Sequence, residues 1–256
     1  MSLIKKSIKI IKEEGLIRFF IRCFNFLKSR IVKILIFFNK SKIINQLRTF
    51  SSDNSDEVFD FSCNFYHGFI KPIQIKEEFA ELLKIFYRLH PKYVLEIGTA
   101  NGGTLFCFCK LANSDATIIS IDLPSPLGGY PEWKISFYQS FTKKDQKLYL
   151  LKKDSHKINT LEEVKKILDG NQLDFLFIDG DHSYEGVKKD FEMYSPLVKK
   201  GGIIAFHDIA LQPEFTKCYV HNFWREIKNK TVETREIIGK KNDFGINYGI
   251  GIILIK

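Results

Sequence analysis

The sequence predicts an α/β fold: a Rossmann-like, seven-stranded, mostly parallel sheet with an antiparallel last strand and helices on both faces. Three observations carry this. From Tyr93 to Ile255, short apolar runs alternate with stretches of helical periodicity, the pattern of a parallel sheet covered on both sides. The first run, Tyr93–Ile97, breaks into Gly98-Thr99-Ala100-Asn101-Gly102-Gly103 and then turns helical. A strand, a glycine turn and a helix start form the place where an α/β fold holds a nucleotide-like ligand. Finally, only Gly239–Asn247 separates the last two runs. That is too short for a crossover helix, so the final strand should run antiparallel to its neighbour.

The elements follow in order. Val58–Ile75 is aromatic-rich and reads as irregular. Ile75–Leu89 reads as a helix with Phe79, Leu82, Leu83 and Phe86 on one face, stopped by His90-Pro91. Tyr93–Ile97 is the first strand, Thr104–Leu111 a helix, Thr117–Ile121 the second strand and Leu148–Leu151 the third. Thr160–Leu168 is a helix, with Thr160 as cap and Glu163 at the capping-box position. Asp174–Ile178 is the fourth strand, and Tyr184–Val198 a helix that stops at Lys199-Lys200-Gly201-Gly202. Ile203–Phe206 is the fifth strand, Glu214–Lys228 a helix, and Thr231–Ile238 and Tyr248–Ile255 the closing pair.

The 256-residue chain carries a net charge of +9, unevenly placed. Met1–Phe50 holds twelve Lys/Arg against Glu13 and Glu14, so that segment is +10 and the remaining 206 residues are −1. A near-neutral body argues against a nucleic-acid groove. The basic segment has apolar residues at helical spacing, including Phe20, Phe24, Leu27, Ile31, Leu35 and Phe38. Leu16–Phe38 carries five Lys/Arg, whereas a membrane span needs about 20 residues nearly free of charge. Such a basic amphipathic helix suits an anionic membrane surface or packing on the body or a second subunit. Ser51–Glu57 is polar and reads as a linker, dividing the chain into an extension over 1–57 and a domain over 58–256. The five cysteines show no C-x-x-C pair, which fits a reducing cytoplasm, with the basic segment on the inner face of the membrane if it binds lipid.

Polar residues fall at the carboxyl ends of the predicted strands: Glu96, Asp122, Asp154, Asp179, His207 and Asp208. An open α/β sheet builds its site at that edge.

The stretches VLEIGTANGGT, SIDLP, GGYPEW, FLFIDGDHSYEGVKKDFEMYSPLVKKGGIIAFHDI and GIGIILIK carry a resemblance. The sequence resembles the class I S-adenosylmethionine-dependent methyltransferases, in the bacterial branch related to catechol O-methyltransferase, macrolide-sugar O-methyltransferases and the cephalosporin-hydroxylase group. The resemblance covers roughly residues 75–256. It implies that Glu96, Gly98, Thr99 and Gly102 line the methionine end of the cofactor. It implies that Asp122 takes both ribose hydroxyls, and that Asp154 and Ser155 border the adenine. In metal-dependent relatives an acid after the fourth strand and a pair after the fifth bind a divalent cation; here these are Asp179 and His207-Asp208. Magnesium prefers oxygen ligands, so the nitrogen of His207 leaves manganese, or no metal, as alternatives. Asp181 is a spare oxygen ligand. His182 stands where relatives carry the base that deprotonates the acceptor hydroxyl, a role that suits imidazole.

The implied activity is O-methylation of a sugar, glycan intermediate or natural product. A nicotinamide oxidoreductase and a membrane-bound, non-catalytic cofactor-binding module are the alternatives. Asp122 alone fits the oxidoreductase. Glu96, the His207-Asp208 pair and the short closing strand pair do not.

Overall fold

The computed structural model describes residues 30–230, 233–240 and 247–256. The basic segment's first 29 residues, and with them most of its expected helix, lie outside the described residues. The chain divides into two compact units, Met1–Gln46 and Leu47–Lys256. In the first, residues 30–38 are helical, and Ile31, Ile34, Phe37 and Phe38 are exposed. A further helix, Lys40–Thr49, follows. Among the described residues, no helix is long and apolar enough to cross a membrane.

The second unit is built on seven strands: β1 Tyr93–Ile97, β2 Thr117–Asp122, β3 Lys147–Lys152, β4 Leu173–Ile178, β5 Val198–His207, β6 Thr234–Ile237 and β7 Ile250–Leu254. Their order is β3-β2-β1-β4-β5-β7-β6. The first five pair in parallel, and β7 runs antiparallel to both β5 and β6. The sheet is the expected Rossmann-like one, and the strands lie within a few residues of their predicted places. β4 is buried at every position, as a strand covered on both faces must be. From β1 the chain winds outward through β2 and β3, then returns to place β4 on the other side of β1. The crevice between the carboxyl ends of β1 and β4 is therefore the switch point at which such sheets bind ligands.

Helices α1 Ser55–Asn64, α2 Lys76–Leu89, α3 Gly103–Leu111, α4 Ile158–Leu168, α5 Tyr184–Tyr194 and α6 Val220–Lys228 complete the unit. Phe79 and Phe86 of α2 and Phe108 of α3 pack on Phe175 and Phe177 of β4.

Four local readings differ. The expected linker leads into α1, because Asn54 Oδ1 accepts from Asp56 N at 2.9 Å and caps the helix. Thr160 is not a cap: it lies inside α4, and its hydroxyl donates to Asp154 O at 2.8 Å. Lys199–Gly202 belong to β5. The helix expected over Glu214–Lys228 is a short 3₁₀ turn and then α6, since Lys217 adopts a left-handed φ of 54° between them.

Candidate active site

The glycine loop after β1 is shaped by contact with the loop after β4. Gly98 has φ 102°, and a Cβ there would lie 2.1 Å from Asp179 O, so only glycine fits. Asp179 N in turn donates to Ile97 O at 2.9 Å. Gly102 has φ 82° and caps α3; a Cβ there would strike the ring of Tyr138 at 2.5 Å. The Tyr138 hydroxyl donates to Ala100 O at 3.0 Å, closing the loop from the side.

Glu96 faces away from this loop's open side. It is fully buried and pairs in register with Ser120 of β2. Ser120 Oγ donates to its Oε2 at 2.7 Å, and Thr104 Oγ1 donates to its Oε1. Thr99 Oγ1 extends the chain to Ser120 Oγ at 2.5 Å. Burial pushes the Glu96 carboxyl up to about 8. The residue thus ties β1, β2 and α3 together.

A cavity of about 680 Å³ opens at the carboxyl edge of the sheet. One side holds Asp122, Asp154, Ser155 and His156; the other holds Asp179, His182, His207 and Asp208. Asp122 Oδ2 accepts from Ala100 N and Oδ1 from Leu123 N, each at 2.8 Å. Each oxygen keeps a further acceptor direction. Asp154 Oδ1 accepts from His156 N at 2.9 Å. His156 Nε2 lies 3.1 Å from Gly186 O and 3.3 Å from the buried Asp190 Oδ1.

The opposite side is a cluster of two carboxylates and two imidazoles. His207 Nδ1 lies 3.1 Å from Asp179 Oδ1 and 3.6 Å from Asp208 Oδ2. His182 Nε2 faces the same two oxygens at 3.6 and 3.5 Å. The outer oxygens are held by amides: Gln74 Nε2 donates to Asp179 Oδ2, and Gln212 Nε2 to Asp208 Oδ1, each at 2.6 Å. Burial alone would raise the Asp179 carboxyl, but His207 and His182 outweigh it and hold the group at about 2. His207 is raised well above 6.5, since the two carboxylates outweigh its burial. The Asp179 carboxylate is the main cause that raises His182, with Asp208 adding to it. Asp179, His207 and Asp208 each offer a donor atom within 4.8 Å of the others, and His182, Asp208 and Cys218 form a second such group.

A family model described as a methyltransferase domain matches residues 95–209. That stretch, less than half of the chain, is what resembles a methyltransferase domain. The O-methyltransferase of Bacillus cereus, solved with S-adenosylhomocysteine, superposes with a TM-score of 0.51 at 14% identity, over 80% of this chain and 92% of its own. The O-methyltransferase TomG of Streptomyces achromogenes, solved with S-adenosylmethionine, gives 0.52 at 10% identity, over 88% and 96%. At these identities the likeness is one of fold. An uncharacterized protein of Sinorhizobium fredii is 23% identical over 150 residues, 56% of this chain and 16% of that protein. Another, from Acanthamoeba polyphaga mimivirus, is 36% identical over 119 residues, 44% of this chain and 50% of that protein. The chain thus spans half or less of these two relatives.

Every residue that the sequence singled out for the site lies inside the matched stretch, but not all of them reach the cavity. Gly98, Asp122, Asp154, Ser155, Asp179, His182, His207 and Asp208 line it. Glu96 and Gly102 do not; the carboxylate is taken up by Ser120 and Thr104, and the glycine lies against Tyr138. Thr99 lines only a narrow side cleft. Asp181 lines the cavity, and its Oδ1 accepts from Ser183 N at 2.9 Å. Sequence reasoning missed Gln74, His156, Gln212 and Cys218. Gln74 and Gln212 lie outside the matched stretch, and a lone glutamine has no pattern to betray it.

Proposed function

We propose that the protein is an S-adenosylmethionine-dependent O-methyltransferase acting on a hydroxyl of a sugar, glycan intermediate or natural product. The observation that carries this reading is one continuous cavity, bordered at one side by Asp122, Asp154 and Ser155 and at the other by the carboxylate–imidazole cluster. The first side suits an adenosine: Asp122 accepts from the ribose hydroxyls, and Asp154 and Ser155 border the base. The second suits the acceptor.

When bound, S-adenosylmethionine supplies an electrophilic methyl group and a divalent cation supplies a Lewis acid at the acceptor oxygen. Asp179, His207 and Asp208 fit such an ion by their convergent donors. Their mixed nitrogen and oxygen set favours manganese over magnesium. His182, whose side chain is 47% exposed, takes the proton of the acceptor hydroxyl. Asp179 and Asp208 flank its Nε2 and stabilise the imidazolium that results. The glycine loop and the cluster together hold the two reactants in line.

Calorimetric titration with S-adenosylmethionine, S-adenosylhomocysteine and NAD tests this reading. The first two should bind and NAD should not. Asp122→Asn should weaken S-adenosylmethionine by about 1.5–3 kcal/mol, the range for hydrogen bonds to a charged group. Binding of NAD in preference would return the oxidoreductase alternative.

A further inference from the structure

Beside the Asp179–His207–Asp208 group, the cavity wall carries a second convergence, of His182, Asp208 and Cys218. The three come from different places: the loop after β4, the residue after β5 and the turn before α6. Tyr219 N donates to His182 O at 2.8 Å, which holds the turn carrying Cys218 against the His182 loop. One nitrogen, one oxygen and one sulfur thereby lie within 4.8 Å of one another. The 3.5 Å between His182 Nε2 and Asp208 Oδ2 is long for a hydrogen bond. It is the spacing of two ligands on one ion, since nitrogen and oxygen each about 2.1 Å from a tetrahedral zinc lie roughly 3.4 Å apart. Gln212 Nε2 donates to Asp208 Oδ1 at 2.6 Å and orients the carboxylate, as outer partners orient metal ligands. Burial, with Asp208 adding to it, pushes the Cys218 thiol up to about 12, so it is no nucleophile at neutral pH. A coordinated cation deprotonates such a thiol outright.

We propose that His182 Nε2, the Asp208 carboxylate and Cys218 Sγ form a zinc site that shares only Asp208 with the neighbouring group. The sulfur ligand sets it apart: thiolate selects zinc over magnesium and manganese, and zinc takes Cys, His and Asp alike. Three protein ligands leave the fourth corner of the tetrahedron open. On binding, the sulfur lone pair goes to zinc and the thiol proton to water. Zinc on Nε2 also takes up the lone pair that would accept the proton of the acceptor hydroxyl, so an occupied site silences the base. That consequence, unlike the site itself, rests on the role given to His182 above.

Cobalt(II) reports on the site, because a thiolate bound to it gives a charge-transfer band in the near ultraviolet. Titrating the full chain with Co²⁺ should raise this band, zinc should abolish it, and Cys218→Ala and His182→Ala should lack it. Competition with a chromophoric chelator should show zinc bound at least about tenfold more weakly by both variants, since even the outer partners of a metal ligand are worth about 10–100-fold. Manganese affinity, read by paramagnetic resonance, should stay within about twofold in Cys218→Ala. Carbethoxylation of His182, followed by mass spectrometry, should be blocked by zinc in wild type and persist in Cys218→Ala. Wild type alone can overturn the site, by giving no thiolate band or by reacting at His182 as fast with zinc as without. A band or a zinc affinity unchanged in Cys218→Ala overturns it too, by leaving the ion on Asp179, His207 and Asp208. An equal loss of manganese in that variant would mean one site and not two. None of these measurements uses a methyl donor or an acceptor, so failure to bind S-adenosylhomocysteine would sink the methyltransferase reading and leave the zinc site standing.

Discussion

His182 is the residue on which the proposed chemistry turns. It sits at the cavity with its Nε2 between Asp179 and Asp208, and the neighbouring carboxylates, Asp179 foremost, raise its basicity. His182→Ala should lower kcat by roughly 10²–10⁴, the span of a positioned base, with S-adenosylmethionine affinity unchanged by calorimetry. Glu96 makes the opposite point. An acid at a strand end was legible in the sequence; the face it points to was not, because Glu96 lies within β1 while Gly98 turns the backbone toward the cavity. Its consequence is a pH dependence of stability. The carboxyl is held at about 8 by burial, against 4.5 for the exposed group. Between those values the folded protein retains a proton that the unfolded chain releases, so its contribution is full below 4.5 and is lost as pH rises to about 8. Glu96→Gln keeps the shape of the protonated acid and cannot ionise. Its thermal midpoint should stay flatter than that of wild type between about pH 5 and 8; parallel curves would refute a protonated Glu96.

At the scale of elements, the strands other than β6 were legible because each centres on a short apolar run with glycine or polar bounds, and sheet burial leaves such runs little choice; β6, with the sequence TREI, is buried only at Ile237. α1 was not. Its sequence, SDEVFDFSCN, is half polar, and its stability comes from capping and from rings supplied by other segments. Phe61 stacks on Phe50 at 3.9 Å, on Phe65 at 4.8 Å and on Phe106 of α3 at 5.4 Å. Tertiary packing of this kind overrides a weak local preference. Asn54→Ala should therefore cost about 1 kcal/mol, the usual loss for an N-cap, measured by denaturant unfolding. A cost near zero would mean that the aromatic stack alone holds α1. The same limit hid Gln74, whose amide holds the carboxylate of Asp179, 105 residues away.

The whole molecule joins two units of different character. Residues 1–46 hold eleven Lys/Arg against Glu13 and Glu14, and so carry the entire net charge of +9. The unit from Leu47 onward is neutral by formal count and contains every residue of the candidate site. The place to separate them is Gln46, because Leu47 is fully buried and Phe50 is part of the aromatic stack on α1. A cut after Phe50 would remove both and confound loss of binding with loss of fold. A protein comprising residues 47–256 should melt cooperatively and bind S-adenosylmethionine with the affinity of the full chain. The full chain should sediment with anionic liposomes at low ionic strength, and the shortened one should not, since attraction of a basic segment to an anionic surface falls off within a Debye length. Raising salt from about 0.01 to 0.5 M should release the full chain, because the Debye length shrinks severalfold over that range. Sedimentation that survives high salt would mean that burial of the phenylalanines in lipid outweighs the attraction of charge. Indifference of the full chain to anionic liposomes at low salt would assign the basic segment to protein packing, and the oligomeric state of the two forms by sedimentation equilibrium would then distinguish a dimer contact from an intramolecular one.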